Sequence, residues 1–150
     1  MNESLQLVCA QCGQLNRVPR ARVTDAARCG RCKHVLVANQ PVILDDQNFA
    51  RFVSRNELPV VVDFWAPWCG PCKMMAPFFE RAAQAFHGRA ILAKLDTDSA
   101  PASARANGIR SIPTLIVFDH GRECARQAGA LDAARLRTFI EQALARGAAA

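Results

Sequence analysis

The chain has 150 residues, of which 51% are hydrophobic and 21% charged, a composition typical of a globular protein and not of a disordered one. Its apolar runs are too short to cross a bilayer and its first residues lack the pattern of a signal peptide, so we expect a cytoplasmic protein without membrane contact. The net charge is +6, and residues 1–40 hold six basic and two acidic residues, a net +4. A solvated basic surface is the simplest interpretation of this excess of positive charge, and nucleic-acid binding is the more specific functional alternative.

The first 38 residues are predicted to form a small metal-binding module. Cys9 and Cys12 are separated by sixteen intervening residues from Cys29 and Cys32, which is the spacing of a four-cysteine zinc site. So short a segment usually needs a metal or disulfides in order to fold. Four thiolates would complete the zinc tetrahedron, so we expect one structural Zn²⁺ per chain and no organic cofactor. Two alternatives stay open: His34 could replace Cys32 as a ligand, or the two pairs could be redox pairs or disulfides.

Residues 39–150 are predicted to form a second domain, in which strand and helix patterns alternate. The pattern predicts an extended start, a helix over 45–56, a strand over 58–66, a helix over 70–86, a strand over 90–96, a short helix over 100–107, strands over 114–119 and 123–128, and a helix over 132–146. Asp45 and Asp46 are expected to cap the first helix, and the tail from Gly147 is expected to fray. The alternation indicates an α/β fold with a mixed central sheet and helices on both faces.

Cys69 and Cys72 lie between a predicted strand and a predicted helix. Pro71 suits the first turn of a helix, which places Cys69 at the helix N-terminus, where free N–H groups and the helix dipole favour a thiolate. Cys72 lies one turn further on and can close a disulfide with it, so one cysteine can attack a disulfide and the other can resolve the mixed intermediate. Half of a zinc site, or two buried cysteines, is the alternative; the strand–helix setting favours the redox pair.

Asp63 interrupts an otherwise apolar strand, where an ionised side chain is costly to bury unless it is paired. Burial would raise its pKa and make it a plausible proton acceptor for the Cys72 thiol. Lys94, in the next predicted strand, is the obvious counter-charge, although it could equally extend from the sheet edge into solvent. A purely structural role for Asp63 also stays open.

Three segments of the chain resemble the thioredoxin family. The run from Val62 to Lys73, continued to Pro77, resembles its active-site signature; residues 108–114 resemble its cis-proline loop; and Gly129 resembles its downstream glycine. The match covers roughly residues 42–145. With a zinc module ahead of it, the chain is most similar to the zinc-binding bacterial thioredoxin-2 type. The resemblance implies a thioredoxin fold preceded by a zinc-ribbon-like module.

The resemblance also implies a role for each matching position. Cys69 would be an exposed nucleophile and Cys72 the buried resolving thiol, with Asp63 assisting proton transfer and Lys94 tuning it. Pro113 would be cis. The implied substrate-binding rim consists of Trp68, Gly70, Pro71, Ile112 and Gly129. The Gly-Pro insert resembles that of reducing members, so the resemblance implies a monomeric protein-disulfide reductase that acts on disulfide-containing client proteins and is re-reduced by thioredoxin reductase.

Two other functions compete with this one. Oxidation could release zinc and expose the N-terminal segment as a redox-controlled, chaperone-like binding module. Alternatively, the basic module could bind nucleic acid, although nucleic acid is not an expected partner of the leading function. Cys124, after the predicted hairpin turn, is expected to be a strand cysteine without a catalytic role.

Overall fold

The structure is a computed structural model that describes residues 3–149. It contains the strands β1 (Ser4–Val8), β2 (Leu15–Pro19), β3 (Val42–Leu44), β4 (Val60–Trp65), β5 (Ile91–Asp96), β6 (Thr114–Asp119) and β7 (Arg122–Ala128). Its helices are a short 3-10 helix (Arg20–Arg22), α1 (Phe49–Arg55), α2 (Gly70–Ala85), α3 (Pro101–Ala106) and α4 (Ala133–Ala149). None of the helices within residues 3–149 is long and apolar enough to span a membrane.

The central sheet has five strands in the order β3-β5-β4-β6-β7. β3, β5 and β4 are parallel, whereas β6 and β7 are antiparallel to their neighbours. Successive side chains of a strand point to opposite faces. Val62 and Phe64 of β4 therefore pack with α1 on one face, while Val61 packs with α2 and α4 on the other. The mixed sheet with helices on both faces is confirmed.

The N-terminal module packs against α1. β1 and β2 form an antiparallel hairpin, which the sequence pattern did not predict, and the buried Leu7 and Val8 of β1 belong to the same apolar core as Phe52 of α1. The buried Asn56 side chain joins the two parts, because its Oδ1 accepts a hydrogen bond from the Val8 N–H at 3.0 Å and its Nδ2 donates to the Phe52 carbonyl. The Arg51 guanidinium also donates to a backbone carbonyl of the module at 2.7 Å. A domain boundary at residue 38 stays a prediction.

The expected capping of the first helix was wrong. α1 begins at Phe49, four residues after the predicted start, because the Asp45 carboxylate accepts hydrogen bonds from the backbone N–H groups two and three residues ahead and closes a turn there. The Asp46 carboxylate instead accepts from the N–H groups of Ala102 and Ser103, at 3.2 and 2.7 Å. It therefore caps α3, whose first turn lies 56 residues further along the chain. Hydrogen bonds from the Ser103 side chain, first, and from the two backbone N–H groups lower the pKa of Asp46.

The remaining element bounds lie within three residues of the predicted ones. The β6–β7 turn is a tight hairpin in which His120 and Gly121 both have positive φ, as the commonest two-residue turn requires. The last helix does not end at residue 146 but continues to Ala149, since alanines are strong helix formers. The expected fraying from Gly147 is thus not seen within the described helix, and residue 150 lies outside the described residues.

Candidate active site and metal-binding cluster

Cys69 caps the N-terminus of α2 and is joined to Cys72 by a disulfide whose Cα atoms are 5.3 Å apart. The Cys69 Sγ accepts a hydrogen bond from the Cys72 N–H at 3.2 Å and lies 3.8 Å from the carbonyl oxygen of Ile112. Because these contacts cover the sulfur, Cys69 is only 4% exposed and Cys72 2%. The exposed nucleophile implied by the resemblance is not seen in this disulfide form.

An open groove runs beside the disulfide, between Trp68 and the loop that contains Ile112. Trp68 is 70% exposed, and its indole N–H donates to the Asp98 carboxylate at 2.9 Å. The Ile112–Pro113 peptide bond is cis, as the resemblance implied. The groove is lined by Trp68, Cys69, Gly70, Pro71, Thr97, Ala104, Ile109, Arg110, Ser111 and Ile112. Sequence reasoning missed the contribution of Asp98, because only the β5–α3 connection brings it to the groove.

Gly129 lies beside the cis-proline loop. Its N–H donates to the Pro113 carbonyl at 2.9 Å. Its φ of +94° is a backbone conformation that residues other than glycine rarely adopt. The loop and the glycine are thereby held together next to the groove. The five residues implied as a binding rim are therefore either lining the groove or bonded to the loop that lines it.

Asp63 is fully buried in β4, on the face of the sheet that α2 covers, and neither of its carboxylate oxygens has a hydrogen-bond partner among the described residues. Burial raises the pKa of this carboxyl group to about 7, although the positive charge of Lys94 partly opposes the rise. Lys94 is the register partner of Asp63 in β5. The predicted neighbourhood of the two residues is therefore present.

The Sγ atoms of Cys9, Cys12, Cys29 and Cys32 all lie within 4.8 Å of one another. Two of the sulfur pairs, Cys9–Cys32 and Cys12–Cys29, are separated by 3.5 and 3.6 Å. A zinc–sulfur bond of about 2.3 Å places tetrahedral sulfurs about 3.8 Å apart. The donor set and its spacing thus fit a tetrahedral metal ion.

The polypeptide around Cys29 supplies further donors to the cluster. The Cys29 sulfur accepts hydrogen bonds from the Arg31 N–H at 3.4 Å and the Asn16 side chain at 3.5 Å. Backbone N–H groups, first that of Cys32, lower the pKa of the Cys29 thiol to about 6. His34 is exposed, and its backbone carbonyl accepts a hydrogen bond from the Cys29 backbone N–H. All four cysteines, including Cys32, belong to the cluster, so the structure does not favour His34 as a replacement ligand.

Cys124 lies in β7, apart from both cysteine groups. It is half-buried, and its Sγ contacts the carbonyl oxygens of Val117 and Ala143 at 3.4 and 3.9 Å. Burial is the main cause of its raised pKa. A half-buried thiol of raised pKa is a poor nucleophile, in keeping with the expected strand cysteine.

A disulfide at a helix N-terminus, set beside a cis-proline loop in an α/β sheet, is the arrangement of a thiol–disulfide oxidoreductase. Comparison with known proteins agrees. The model of the thioredoxin family matches residues 40–142, and the model described as "Thioredoxin 2, N-terminal", a zinc ribbon, matches residues 8–34. The chain belongs to the thioredoxin family and carries an N-terminal zinc-ribbon-like module.

Three relatives illustrate the similarity. Thioredoxin C-3 of Corynebacterium nephridii is 43% identical over 138 residues, which are 92% of this chain and 94% of the relative. The thioredoxin of Haemophilus influenzae is 41% identical over 66% of this chain and 92% of its own length. That of Synechocystis is 44% identical over 67% of this chain and 94% of its own length. The chain is accordingly a protein thiol–disulfide oxidoreductase.

Proposed function

We propose that the protein reduces disulfides in client proteins through Cys69 and Cys72 and is itself re-reduced by thioredoxin reductase. The observation that carries the proposal is the Cys69–Cys72 disulfide at the N-terminus of α2, which opens onto the groove beside Trp68. Reduction of clients is the favoured direction because the Gly70-Pro71 insert resembles that of reducing family members. Such a reaction suits a reducing compartment such as the cytoplasm.

The proposed reaction is two successive thiol–disulfide exchanges. The Cys69 thiolate attacks one sulfur of a client disulfide, which forms a mixed disulfide and releases the other client sulfur as a thiolate. The Cys72 thiol then loses its proton and attacks the Cys69 sulfur of the mixed disulfide. The second client thiolate leaves, the Cys69–Cys72 disulfide is restored, and two electrons have passed to the client.

Each cysteine suits its proposed role by its place in α2. Cys69 is the N-cap residue of α2, and its sulfur accepts a hydrogen bond from the Cys72 N–H at 3.2 Å. It also lies at the positive end of the helix dipole. Both interactions stabilise a thiolate and so favour Cys69 as nucleophile and leaving group. Cys72 lies one turn inside the helix and is buried, a position that suits a thiol that reacts only with its neighbour.

Asp63 is the proposed proton acceptor for Cys72, and Lys94 the residue that tunes it. A carboxyl group with a pKa of about 7 can take and return a proton near neutral pH. Its two unpartnered oxygens leave it free to accept that proton. Lys94 has the opposite charge and opposes the rise in the Asp63 pKa.

The groove is the proposed binding site for an extended client segment. Trp68 and Ile112 offer apolar surface on its two sides, and the cis Pro113 peptide orients the backbone of Ile112 beside Cys69. Gly70, Pro71 and Gly129 have no bulky side chain at this surface, so a client backbone can approach closely.

For the N-terminal module, we propose one structural Zn²⁺ per chain, held by the four cysteines. When bound, the ion would supply cross-linking of two chain segments and no reaction chemistry, because four thiolates leave no open position. Among the described residues, the buried side chains of the module, Leu7 and Val8 among them, belong to the core that it shares with α1. The proposed role of the metal ion is to hold the β1–β2 hairpin of the module in its folded position.

A coupled assay tests the redox proposal. NADPH, thioredoxin reductase and a disulfide-containing protein are combined with the chain, and NADPH oxidation is followed. Cys69→Ser should lose turnover, and Cys72→Ser should accumulate a mixed disulfide with the client, visible by mass spectrometry. Cys124→Ser is the matched control and should keep full turnover. Turnover that survives in Cys69→Ser would refute the assignment.

A further inference from the structure

Lys94 and Asp63 are neighbours of opposite charge that do not form a hydrogen bond. They are register partners in the parallel strands β5 and β4, a position from which two such side chains normally pair. Within the described part of the chain, however, both Asp63 oxygens lack a hydrogen-bond partner, although the side chain is fully buried. A buried carboxylate with a cation in the adjacent register position usually pairs with it.

The Lys94 ammonium lies instead over the ring of Trp65, 4.4 Å from its centroid. Trp65 is two residues after Asp63 in β4, so the two side chains project from the same face of the sheet. Lys94, the register partner of Asp63, projects from that face as well. An ammonium group within about 6 Å of a tryptophan centroid is attracted by the electron-rich face of the ring. Asp63 and Trp65 therefore compete for the same cation.

We propose that Trp65 is a positioning residue, whose indole ring holds the Lys94 ammonium and so keeps that cation out of direct contact with the Asp63 carboxyl group. The Lys94 charge still lowers the Asp63 pKa by electrostatic attraction, but the Lys94 ammonium does not form a hydrogen-bonded ion pair with the carboxyl group. The protein thereby keeps a buried carboxyl group that still binds a proton near neutral pH. The consequence for turnover rests on the proposed role of Asp63 as proton acceptor; the positioning itself does not.

Asp96 shares this face of the sheet, because it lies two residues after Lys94 in β5 and is the register partner of Trp65. Lys94 is the one charge that acts on the Asp63 pKa, and the neighbouring side chains from β6 and α4, such as Leu115 and Ile140, are apolar. Cys69 and Cys72 of α2 do not titrate while they form the disulfide. Glu80 of α2 lines the same pocket as Lys94, so Asp96 and Glu80 are the competing acceptors for a released ammonium.

The test measures the acid dissociation constant of Asp63 by ¹³C NMR of labelled aspartate carboxyl groups, in the disulfide form, with Asp63→Asn to assign the signal. In Trp65→Leu the freed ammonium should approach Asp63, and an opposite charge in contact lowers an aspartate pKa by one to three units. The dissociation constant should therefore rise about tenfold or more. Trp65→Phe keeps an aromatic face and should give a smaller rise, about threefold, and it serves if the leucine variant does not fold.

A control distinguishes the effect of the Lys94 charge on the Asp63 dissociation constant from the effect of water that enters the site. Removing the indole could admit solvent and ease the ionisation of Asp63 by itself, so each Trp65 substitution is repeated in a Lys94→Met background. There the dissociation constant should stay within about twofold of that of Lys94→Met alone. Trp65→Leu is also combined with Glu80→Gln and Asp96→Asn, so that the released ammonium does not move to another carboxylate. An equal rise with and without Lys94, or no rise in this folded combined variant, would overturn the proposal.

Turnover provides the second readout. If Asp63 accepts the Cys72 proton, the pH profile of client reduction should shift towards acid in Trp65→Leu by the same factor as the dissociation constant. A shift by NMR without a shift in the profile would leave the positioning role of Trp65 intact and would count against Asp63 as the proton acceptor. The two hypotheses therefore fail separately.

Discussion

Replacing Asp63 by asparagine should make the protein more stable, by an amount that grows with pH. Asp63 is fully buried without a hydrogen-bond partner, and its pKa rises from 3.8 to about 7 in the folded protein. Well below pH 3.8 the carboxyl group is neutral in both the folded and the unfolded chain, so it carries no ionisation penalty. Between pH 4 and 7 the unfolded chain loses the proton and the folded protein keeps it, so the folded state loses stability until the pH exceeds its own pKa.

The magnitude follows from the two pKa values. Each unit of difference is worth about 1.4 kcal/mol, so the full loss from acid pH to above pH 7 is about 4 kcal/mol. Between pH 5 and pH 8.5 the same two values give about 3 kcal/mol, since part of the loss has already occurred at pH 5. Asparagine cannot ionise. The free energy of unfolding of Asp63→Asn, minus that of the parent chain, should therefore increase by about 3 kcal/mol over this range.

Urea unfolding of the disulfide form at four pH values between 5 and 8.5 measures this difference. The pH dependence of metal binding is common to both proteins, so it cancels in the subtraction. Asp25→Asn is the matched control, because the side chain of Asp25 is 58% exposed and the substitution removes the same charge. A difference between Asp63→Asn and the parent chain that stays constant across the range would refute the reasoning.

Three further substitutions test other parts of the structure. Cys29→Ser should lower the zinc content, measured by atomic emission, from about one ion per chain to near zero, whereas Cys124→Ser should retain it, since only Cys29 belongs to the four-sulfur cluster. Asn56→Ala leaves the buried Val8 N–H without an acceptor and should lower the free energy of unfolding by about 2 kcal/mol, while Asn39→Ala, at an exposed asparagine, should change it by less than about 0.5 kcal/mol. Leu136→Ala, at a position that is 1% exposed, should cost about 3 kcal/mol in urea unfolding, and a loss below 1 kcal/mol would contradict the packing of α4 described above.

Much of the fold was predictable because its signals are local. The apolar run in β4, interrupted only at Asp63, predicted a strand, and the pattern over 70–86 predicted the helix α2. The two cysteine groups were separable for the same reason. A metal site depends on spacing within short knuckles, and a redox pair depends on the strand before it and the helix after it.

Local pattern could not predict the contacts that join distant segments. Asp46 was expected to cap its own helix and caps α3 instead, because the parallel arrangement of β3 and β5 brings the N-terminus of α3 next to it. The hairpin of the N-terminal module was missed, since its strands are only five residues long and its buried side chains belong to a core shared with α1. In each case the decisive partner lies dozens of residues away in the sequence.

The sequence by itself determined the chemical groups of this protein: a cysteine pair between a strand and a helix, four cysteines spaced for a metal site, and an acid within an apolar strand. The tertiary structure alone decided how that chemistry is tuned. Whether Lys94 pairs with Asp63 or lies over Trp65 depends on the register of two strands about thirty residues apart and on competing attractions of similar size. Such a choice has no local signature, because it is made only when the strands are already side by side.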